Sequence, residues 1–219
     1  MKPIDKTELA YRLIAGLIGW FAIGLQLYLV IVTALEKGTS LFSEAIRFIS
    51  FFTILCNILV ALCLTVPLIN RHSGLGRYFL KPVVQGAVAV YIVIVGITYS
   101  LLLRHIWNPQ GWQLVADRLL HDAMPVIYLL FWLIFVPKGY LKWKHAFNWL
   151  LFPAIYLGYT LIRGAIIDQY PYPFIDVVQL GYAGMLKNAL FMLAGFIIAG
   201  LLVILMDRLL RRNIPALQS

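Results

Sequence analysis

Charged side chains are scarce in this chain of 219 residues, at 12% of the composition, while 62% of the residues are hydrophobic. Soluble domains carry about 25% charged and about 45–50% apolar residues. A water-soluble fold has no way to bury this much apolar surface, so the composition excludes a soluble domain. The chain is therefore predicted to be a polytopic membrane protein.

Cysteine is nearly absent, since Cys56 and Cys63 are the only two. Both fall in one predicted helix, where their spacing separates them by about 10 Å along the axis. That distance is too long for a disulfide bond. We expect both to be small apolar packing residues.

Signature motifs of soluble enzymes and of metal sites are also missing. The chain has no G-x-S-x-G, no H-E-x-x-H and no glycine-rich phosphate-binding loop. Its four histidines are scattered over different loops and spans, in no zinc or haem spacing: His72, His105, His121 and His145. We therefore predict no metal site and no cofactor.

Six long apolar runs fill the sequence, each near the roughly 20 residues that a membrane helix needs. The sequence predicts an all-α fold, a bundle of six transmembrane helices that forms a single domain over residues 1–219. The first run is long and is followed by no small-residue cleavage site, so we expect a retained span and not a signal peptide. The predicted spans cover about residues 11–35, 44–69, 82–103, 115–136, 145–162 and 182–206.

Lysine and arginine stand at the ends of these runs, which is the pattern of a topology signal. The net charge of +9 therefore does not indicate nucleic acid, and the predicted partners are membrane lipids. Both termini are predicted to be cytoplasmic, in a multi-pass protein of a bacterial inner membrane. The richer side carries Lys2, Lys6, Arg12, Arg71, Arg77, Lys81, Lys138, Lys142, Lys144, Arg208, Arg211 and Arg212, and the other side Lys37, Arg47, Arg104, Arg118, Arg163 and Lys187.

Polar residues inside a membrane span are costly and mark candidate functional sites. In the second span Ser50, Thr53 and Asn57 are spaced i, i+3, i+7, which predicts that they line one helix face. A threonine in this setting commonly bonds only the carbonyl of residue i−4. An asparagine amide in hydrocarbon needs a partner on another helix.

The fourth span begins with a second polar cluster. His121 lies one helical turn after Asp117 on the same face, and Arg118 and Asp122 are spaced to pair with each other. Pro125 has no N–H for the carbonyl of His121, so a kink is predicted there.

Depth in the membrane links Thr53 and His121. Counted along the predicted spans, both lie about 9–14 Å below the same outer surface. A hydroxyl beside an imidazole that is oriented by a carboxylate is the arrangement of an activated nucleophile. The spacing does not itself bring the two side chains into contact.

The longest loop, residues 163–181, contains tyrosines, prolines, Asp168 and Asp176. One interpretation is an aromatic belt at the membrane interface, held rigid by prolines. The other is a lid over an outer-side cavity that holds Thr53 and His121. Arg163 is then expected to pair with Asp168 or Asp176, or to meet an anionic substrate head.

These segments resemble the androgen-induced and androgen-dependent family of membrane proteins, and more closely its bacterial six-span branch. The similarity extends from the first span to the last. It is carried by SFFTILCN at residues 50–57, ADRLLHDAMP at 116–125, PKG at 137–139, RG at 163–164 and YPYPFID at 170–176.

Animal members of that family are threonine hydrolases inside the membrane that cleave fatty acid esters of hydroxy fatty acids. The resemblance implies Thr53 as nucleophile and His121 as general base. It assigns supporting positions to Ser50, Asn57, Asp117, Arg163 and Asp176.

The sequence hypothesis is therefore a membrane hydrolase whose partner is a lipid or fatty acyl ester substrate. Asp117 is expected to hold the imidazole of His121, and Asn57 to donate to the oxyanion. An alternative is a transporter or binding protein for an anionic or lipidic ligand, which uses Arg163, His121 and Asp117. The nearly featureless inner halves of the second and fourth spans favour a one-sided cavity and hence the enzyme. A third alternative is a scaffold whose polar residues only fix helix packing.

Overall fold

The computed structural model describes residues 4–211, which are 82% helical and contain no strand. Lys2 and Arg212, which entered the topology prediction, lie outside these residues. Six helical segments within them are long and apolar enough to cross a membrane, which confirms the predicted class of fold. The segments are Lys6–Lys37, Phe52–Asn70, Pro82–Leu103, Gly111–Phe135, Lys144–Ile167 and Val177–Leu209.

The individual helices subdivide these segments and add two short helices between them. In chain order they are α1 (Lys6–Lys37), α2 (Leu41–Ile49), α3 (Phe52–Asn70), α4 (Gly74–Phe79), α5 (Pro82–Thr98), α6 (Gly111–Arg118), α7 (Met124–Phe135), α8 (Lys144–Asn148), α9 (Leu151–Ile167) and α10 (Val177–Leu209).

Helix α1 packs along α3 over much of its length. Its start is capped by Asp5, whose carboxylate accepts from the N–H of Glu8 at 2.8 Å. The helix ends at Lys37, and the capping residue Gly38 has a left-handed backbone conformation with φ 64°. Gly16 makes the close approach to α3 possible, because a Cβ there would lie 2.6 Å from the methyl carbon of Thr65.

The second predicted span is broken, and this corrects the sequence prediction. Helix α2 ends at Ile49, and α3 starts only at Phe52. Ser50 ends α2 by donating its hydroxyl to the carbonyl of Ile46 at 2.7 Å. Its own carbonyl accepts from the hydroxyl of Tyr156 at 2.9 Å. Irregular backbone is tolerated in a membrane where the protein satisfies its polar groups, as α9 does here.

Two π-helical turns interrupt the α-helices of the third and fourth spans, and the second of them contains His121, where a kink was predicted. The segment Tyr99–Leu103 continues α5, and the segment Leu119–Ala123 joins α6 to α7. A π-turn bonds residues that are five apart, and it accommodates a proline, which has no N–H to donate. The second turn lies close to α5 because Gly96 of α5 has no side chain. A Cβ on Gly96 would be 3.2 Å from the Cβ of Pro125.

The loop after α9 is compact. It contains a 3₁₀ turn, Pro173–Ile175, and leads into α10, whose first residues are capped by Asp176. Gly181 interrupts α10 with φ 66° and ψ 167°, so the regular part of the last span starts near residue 182 as predicted.

Candidate active site

A cavity of about 350 Å³ lies between α3, α5, α9 and α10. Its volume falls in the range of small-molecule sites, which is about 300–1,000 Å³. Apolar side chains form nearly all of its wall. The hydroxyl groups in that wall belong to Thr53, Thr98, Tyr99, Tyr156 and Tyr172. The shape and lining suit a hydrocarbon chain with one polar group.

Thr53 is the second residue of α3, not a residue deep within a long span. The count of residues along one continuous helix therefore does not hold, because α2 is a separate helix. The N–H of Thr53 has no helical partner at this position, and the hydroxyl of Tyr172 accepts it at 3.2 Å. The Thr53 hydroxyl lies 3.4 Å from the same phenolic oxygen. Thr65 makes the ordinary bond to its i−4 carbonyl, at Ala61, and Thr53 does not.

Tyr172 reaches Thr53 from the outer loop. It is buried, its ring stacks on Phe174 with centroids 5.1 Å apart, and it meets Phe51 edge-on at 5.7 Å. Burial raises the pKa of Tyr172 to about 12, so the phenol is neutral near pH 7. The loop thus closes one end of the cavity that Thr53 lines, while His121 lines a different cavity.

Asp117 and His121 are in contact across one helical turn. The Nδ1 atom of His121 lies 3.2 Å from Oδ1 of Asp117 and 3.0 Å from the Asp117 backbone oxygen. Tyr99 donates its hydroxyl to the other carboxylate oxygen. Its ring stacks on the imidazole with centroids 4.0 Å apart. Asp117 is 3% exposed, so this carboxylate is held away from water by two protein groups, the imidazole of His121 and the hydroxyl of Tyr99.

Asn57 links α3 to the π-turn of the fourth span. Its amide nitrogen donates to the carbonyl of Thr53 at 2.9 Å and to that of Leu120 at 3.2 Å. Both amide hydrogens are therefore engaged. The expected partner on another helix exists, but Asn57 has no free donor for an oxyanion, and that part of the prediction is wrong.

Thr53 and His121 are not in direct contact. Within residues 4–211 no hydrogen bond joins them, and each lines a different cavity. Tyr99 lies at the boundary, since it lines the cavity of Thr53 and stacks on His121. The Asn57 bond to Leu120 sets Thr53 about level with Asp117, because both stand one turn before the bonded residues.

The other predicted residues have structural partners. Ser50 belongs to the break before α3, so it does not share a helix face with Thr53 and Asn57, and its hydroxyl lies 2.8 Å from that of Tyr159. Arg163 donates to the carbonyl of Gln169 at 3.5 Å. The described residues contain no ion pair between Arg163 and either Asp168 or Asp176.

Asp176 instead accepts from the N–H groups of Val178 and Gln179, at 2.9 and 3.2 Å, and so begins α10. Among residues 4–211 no group of three histidine, cysteine, aspartate or glutamate side chains is placed to hold a metal ion. Cys56 and Cys63 are buried and free.

Sequence reasoning missed the roles of Tyr99 and Tyr172. Tyr172 belongs to the proline-rich loop, but nothing in that pattern distinguishes an inward tyrosine from an interfacial one. Tyr99 stands near the end of an apolar run where a tyrosine is ordinary. Their position depends on helix packing.

Fold and site together define a multi-pass helical membrane protein with an apolar cavity that ends in hydroxyl groups. No protein-family model, no curated protein and no solved structure matches the chain. The resemblance to the androgen-induced and androgen-dependent family therefore stays a prediction.

Proposed function

We propose that the protein is an intramembrane hydrolase of lipid-like esters, such as fatty acid esters of hydroxy fatty acids, with Thr53 as the nucleophile. One observation carries the proposal: the Thr53 hydroxyl lies in the wall of an apolar cavity, at the N-terminus of α3. The positive end of a helix dipole favours negative charge there. In the proposed topology both termini are cytoplasmic and the cavity lies in the outer half of a bacterial inner membrane.

The acyl chain of the substrate enters sideways between α9 and α10. Leu186, Leu190 and Leu193 of α10 line the cavity and are also exposed on the outside of the bundle. Pro153 and Leu157 of α9 form the facing wall. A lipid therefore reaches the cavity without leaving the hydrocarbon layer.

In the proposed reaction the Thr53 oxygen attacks the ester carbonyl carbon, and an acyl-threonine ester forms. The oxyanion accepts from the N–H of Thr53 and from the neutral hydroxyl of Tyr172, which now bond each other. The proton of Thr53 passes to Nε2 of His121, whose Nδ1 is held by Asp117. The same proton then moves from His121 to the leaving alkoxide as the ester C–O bond breaks. Water hydrolyses the acyl-threonine and returns the Thr53 hydroxyl, and no cofactor takes part.

Transfer from Thr53 to His121 needs a bridging water or a shift of Tyr99. The two residues line separate cavities, with the Tyr99 ring between them. Tyr99 is therefore the residue that rotates in the second of these two routes.

The test is ester hydrolysis by the purified protein in nanodiscs. The substrates are a fatty acid ester of a hydroxy fatty acid and a p-nitrophenyl ester. Thr53→Ala and His121→Ala are expected to abolish turnover. Thr65→Ala is the matched control, because it removes a threonine hydroxyl from the same helix that bonds Ala61 and Trp20 and lines neither cavity. No hydrolysis by the wild type, or equal rates in all variants, would reject the hydrolase.

The lack of contact between Thr53 and His121 favours a second candidate, a transporter or binding protein for an anionic or lipidic ligand. In that case the cavity holds the ligand through its apolar wall and the hydroxyls of Thr53 and Tyr172. The protein is then expected to bind a fluorescent fatty acid and to release it unchanged. Thr53→Ala is expected to lower the affinity for this probe, and neither protein hydrolyses an ester.

A further inference from the structure

A second cavity of about 440 Å³ lies on the side of α5 away from Thr53. Apolar residues of α5 and α7 form most of its wall, among them Ile97, Val126 and Leu129. Ser100 and Asp122 stand at its polar end beside His121. Val126 and Ile97 are also exposed on the outside of the bundle, so the cavity is a groove that faces lipid.

Two arginines meet at the polar end of this groove. Arg118 binds Oδ2 of Asp122 at 2.7 Å, and Arg104 binds Oδ1 of the same carboxylate. Arg104 also donates to the hydroxyl of Ser100 at 3.3 Å. Two guanidinium groups thus share one carboxylate. Asp117, the other carboxylate nearby, is buried and bonded to Tyr99 and His121.

Both arginines keep unused donors. Each binds Asp122 through one terminal nitrogen, which leaves the remaining N–H groups of the planar fork. The Nε of Arg104 is buried and has no hydrogen-bond partner within residues 4–211. The side chain of Arg118 is 54% exposed. Paired arginine forks of this kind match the oxygens of a phosphate group.

We expect the arginines to lie at the level of the lipid head groups. The connection between α5 and α6 carries Trp107, and α6 begins with Trp112, both of which are exposed. Exposed tryptophans of this kind are typical of the membrane interface. Arginine side chains near helix ends extend toward the same layer.

We propose that this groove is a binding site for an anionic phospholipid. The phosphate diester lies between Arg104 and Arg118, and one acyl chain lies along Ile97, Val126 and Leu129. A lipid fits better than free phosphate, because Asp122, with which both arginines pair, lines an apolar groove. The proposal is independent of the hydrolase, since the groove and the cavity of Thr53 are separated by α5.

The experiment is native mass spectrometry of the full-length protein with phosphatidylglycerol and phosphatidylcholine that carry the same acyl chains. The wild type is expected to retain phosphatidylglycerol preferentially. Arg118→Gln is expected to weaken its binding about fivefold, the usual effect of one basic residue at an anionic membrane surface. Val126→Trp fills the groove from its exposed rim and is expected to displace the acyl chain without touching the arginines.

Arg47→Gln is the matched control, because Arg47 is another exposed arginine paired with a single carboxylate, that of Glu44. It is expected to leave phosphatidylglycerol binding unchanged. The proposal would be overturned by equal retention of both lipids, by equal losses in Arg47→Gln and Arg118→Gln, or by full binding in Val126→Trp. Displacement of phosphatidylglycerol by an equal concentration of glycerol phosphate would also overturn it, since the acyl chain would then contribute nothing. Thermal unfolding of each variant verifies that it is folded.

Discussion

Replacement of Tyr172 by phenylalanine removes one oxygen atom from the site and keeps the ring. The contacts with Phe51 and Phe174 remain, so packing changes little. The substitution removes the Tyr172 hydroxyl, which accepts from the N–H of Thr53 and lies beside the Thr53 hydroxyl. Thr53 is buried, and within residues 4–211 these two groups form no hydrogen bond to any residue other than Tyr172.

The magnitude follows from the unpaired N–H group. A buried donor that loses its partner costs about 1–3 kcal/mol. We therefore expect Tyr172→Phe to lower the free energy of unfolding by about 2 kcal/mol. If the phenol also donates to the oxyanion, the rate of ester hydrolysis falls by about 10²–10³, the usual effect of one such donor.

Tyr156→Phe provides the matched control. Tyr156 lines the same cavity and donates its hydroxyl to the carbonyl of Ser50 at 2.9 Å, away from the oxygen of Thr53. Its loss is expected to cost similar stability and to leave the hydrolysis rate within a fewfold of the wild type. Unfolding is followed by circular dichroism in detergent, and hydrolysis with a p-nitrophenyl ester.

Two outcomes would refute this reasoning. If Tyr172→Phe is as stable as the wild type, the N–H of Thr53 does not depend on the phenol. If both variants lose hydrolysis to the same degree, the effect of Tyr172 comes from the shape of the cavity and not from its position beside Thr53.

Two further predictions concern the frame of the site. A Cβ at Gly164 would lie 2.1 Å from the ring of Tyr170, whereas one at Gly158 of the same helix meets nothing within 4 Å. Gly164→Ala should therefore lower the free energy of unfolding by about 1–3 kcal/mol, and Gly158→Ala should not. Thermal unfolding measures both changes. Burial lowers the pKa of Lys138 from 10.5 to about 8. Between these two values the unfolded chain holds a proton that the folded one has lost, so stability should rise with pH there, and Lys138→Met should lack that rise in pH-dependent unfolding curves. Equal effects of the two alanines, or the same pH slope in Lys138→Met, would contradict these expectations.

The membrane class and the six spans were predictable because apolar runs of sufficient length admit few other folds. The break before Phe52 was not. Residues 44–69 are continuously apolar enough to suggest one helix, and the partner that satisfies the break is Tyr156, about 100 residues further along the chain. A local pattern does not contain a contact of that range.

The pairing of Asp117 with His121 was predictable, because residues four apart on a helix face each other. The separation of His121 from Thr53 was not, since it depends on how α5 packs between them and brings Tyr99 against the imidazole. Asn57 shows the same limit. Its polarity predicted a bond to another helix, and only the structure shows that the bond to Leu120 consumes its second donor.

The π-turn Leu119–Ala123 also changes the direction in which the side chains of the fourth span face around the helix axis. Ala116, Leu120, Met124, Tyr128 and Trp132 are buried at intervals of four residues. In an uninterrupted α-helix such a row winds around the axis by about 40° per step, or about 160° from the first residue to the last. One extra residue in a π-turn takes back roughly 100° of this rotation. The row then faces the bundle along its whole length, and deletion of a single residue from the turn would send one end of it toward the lipid.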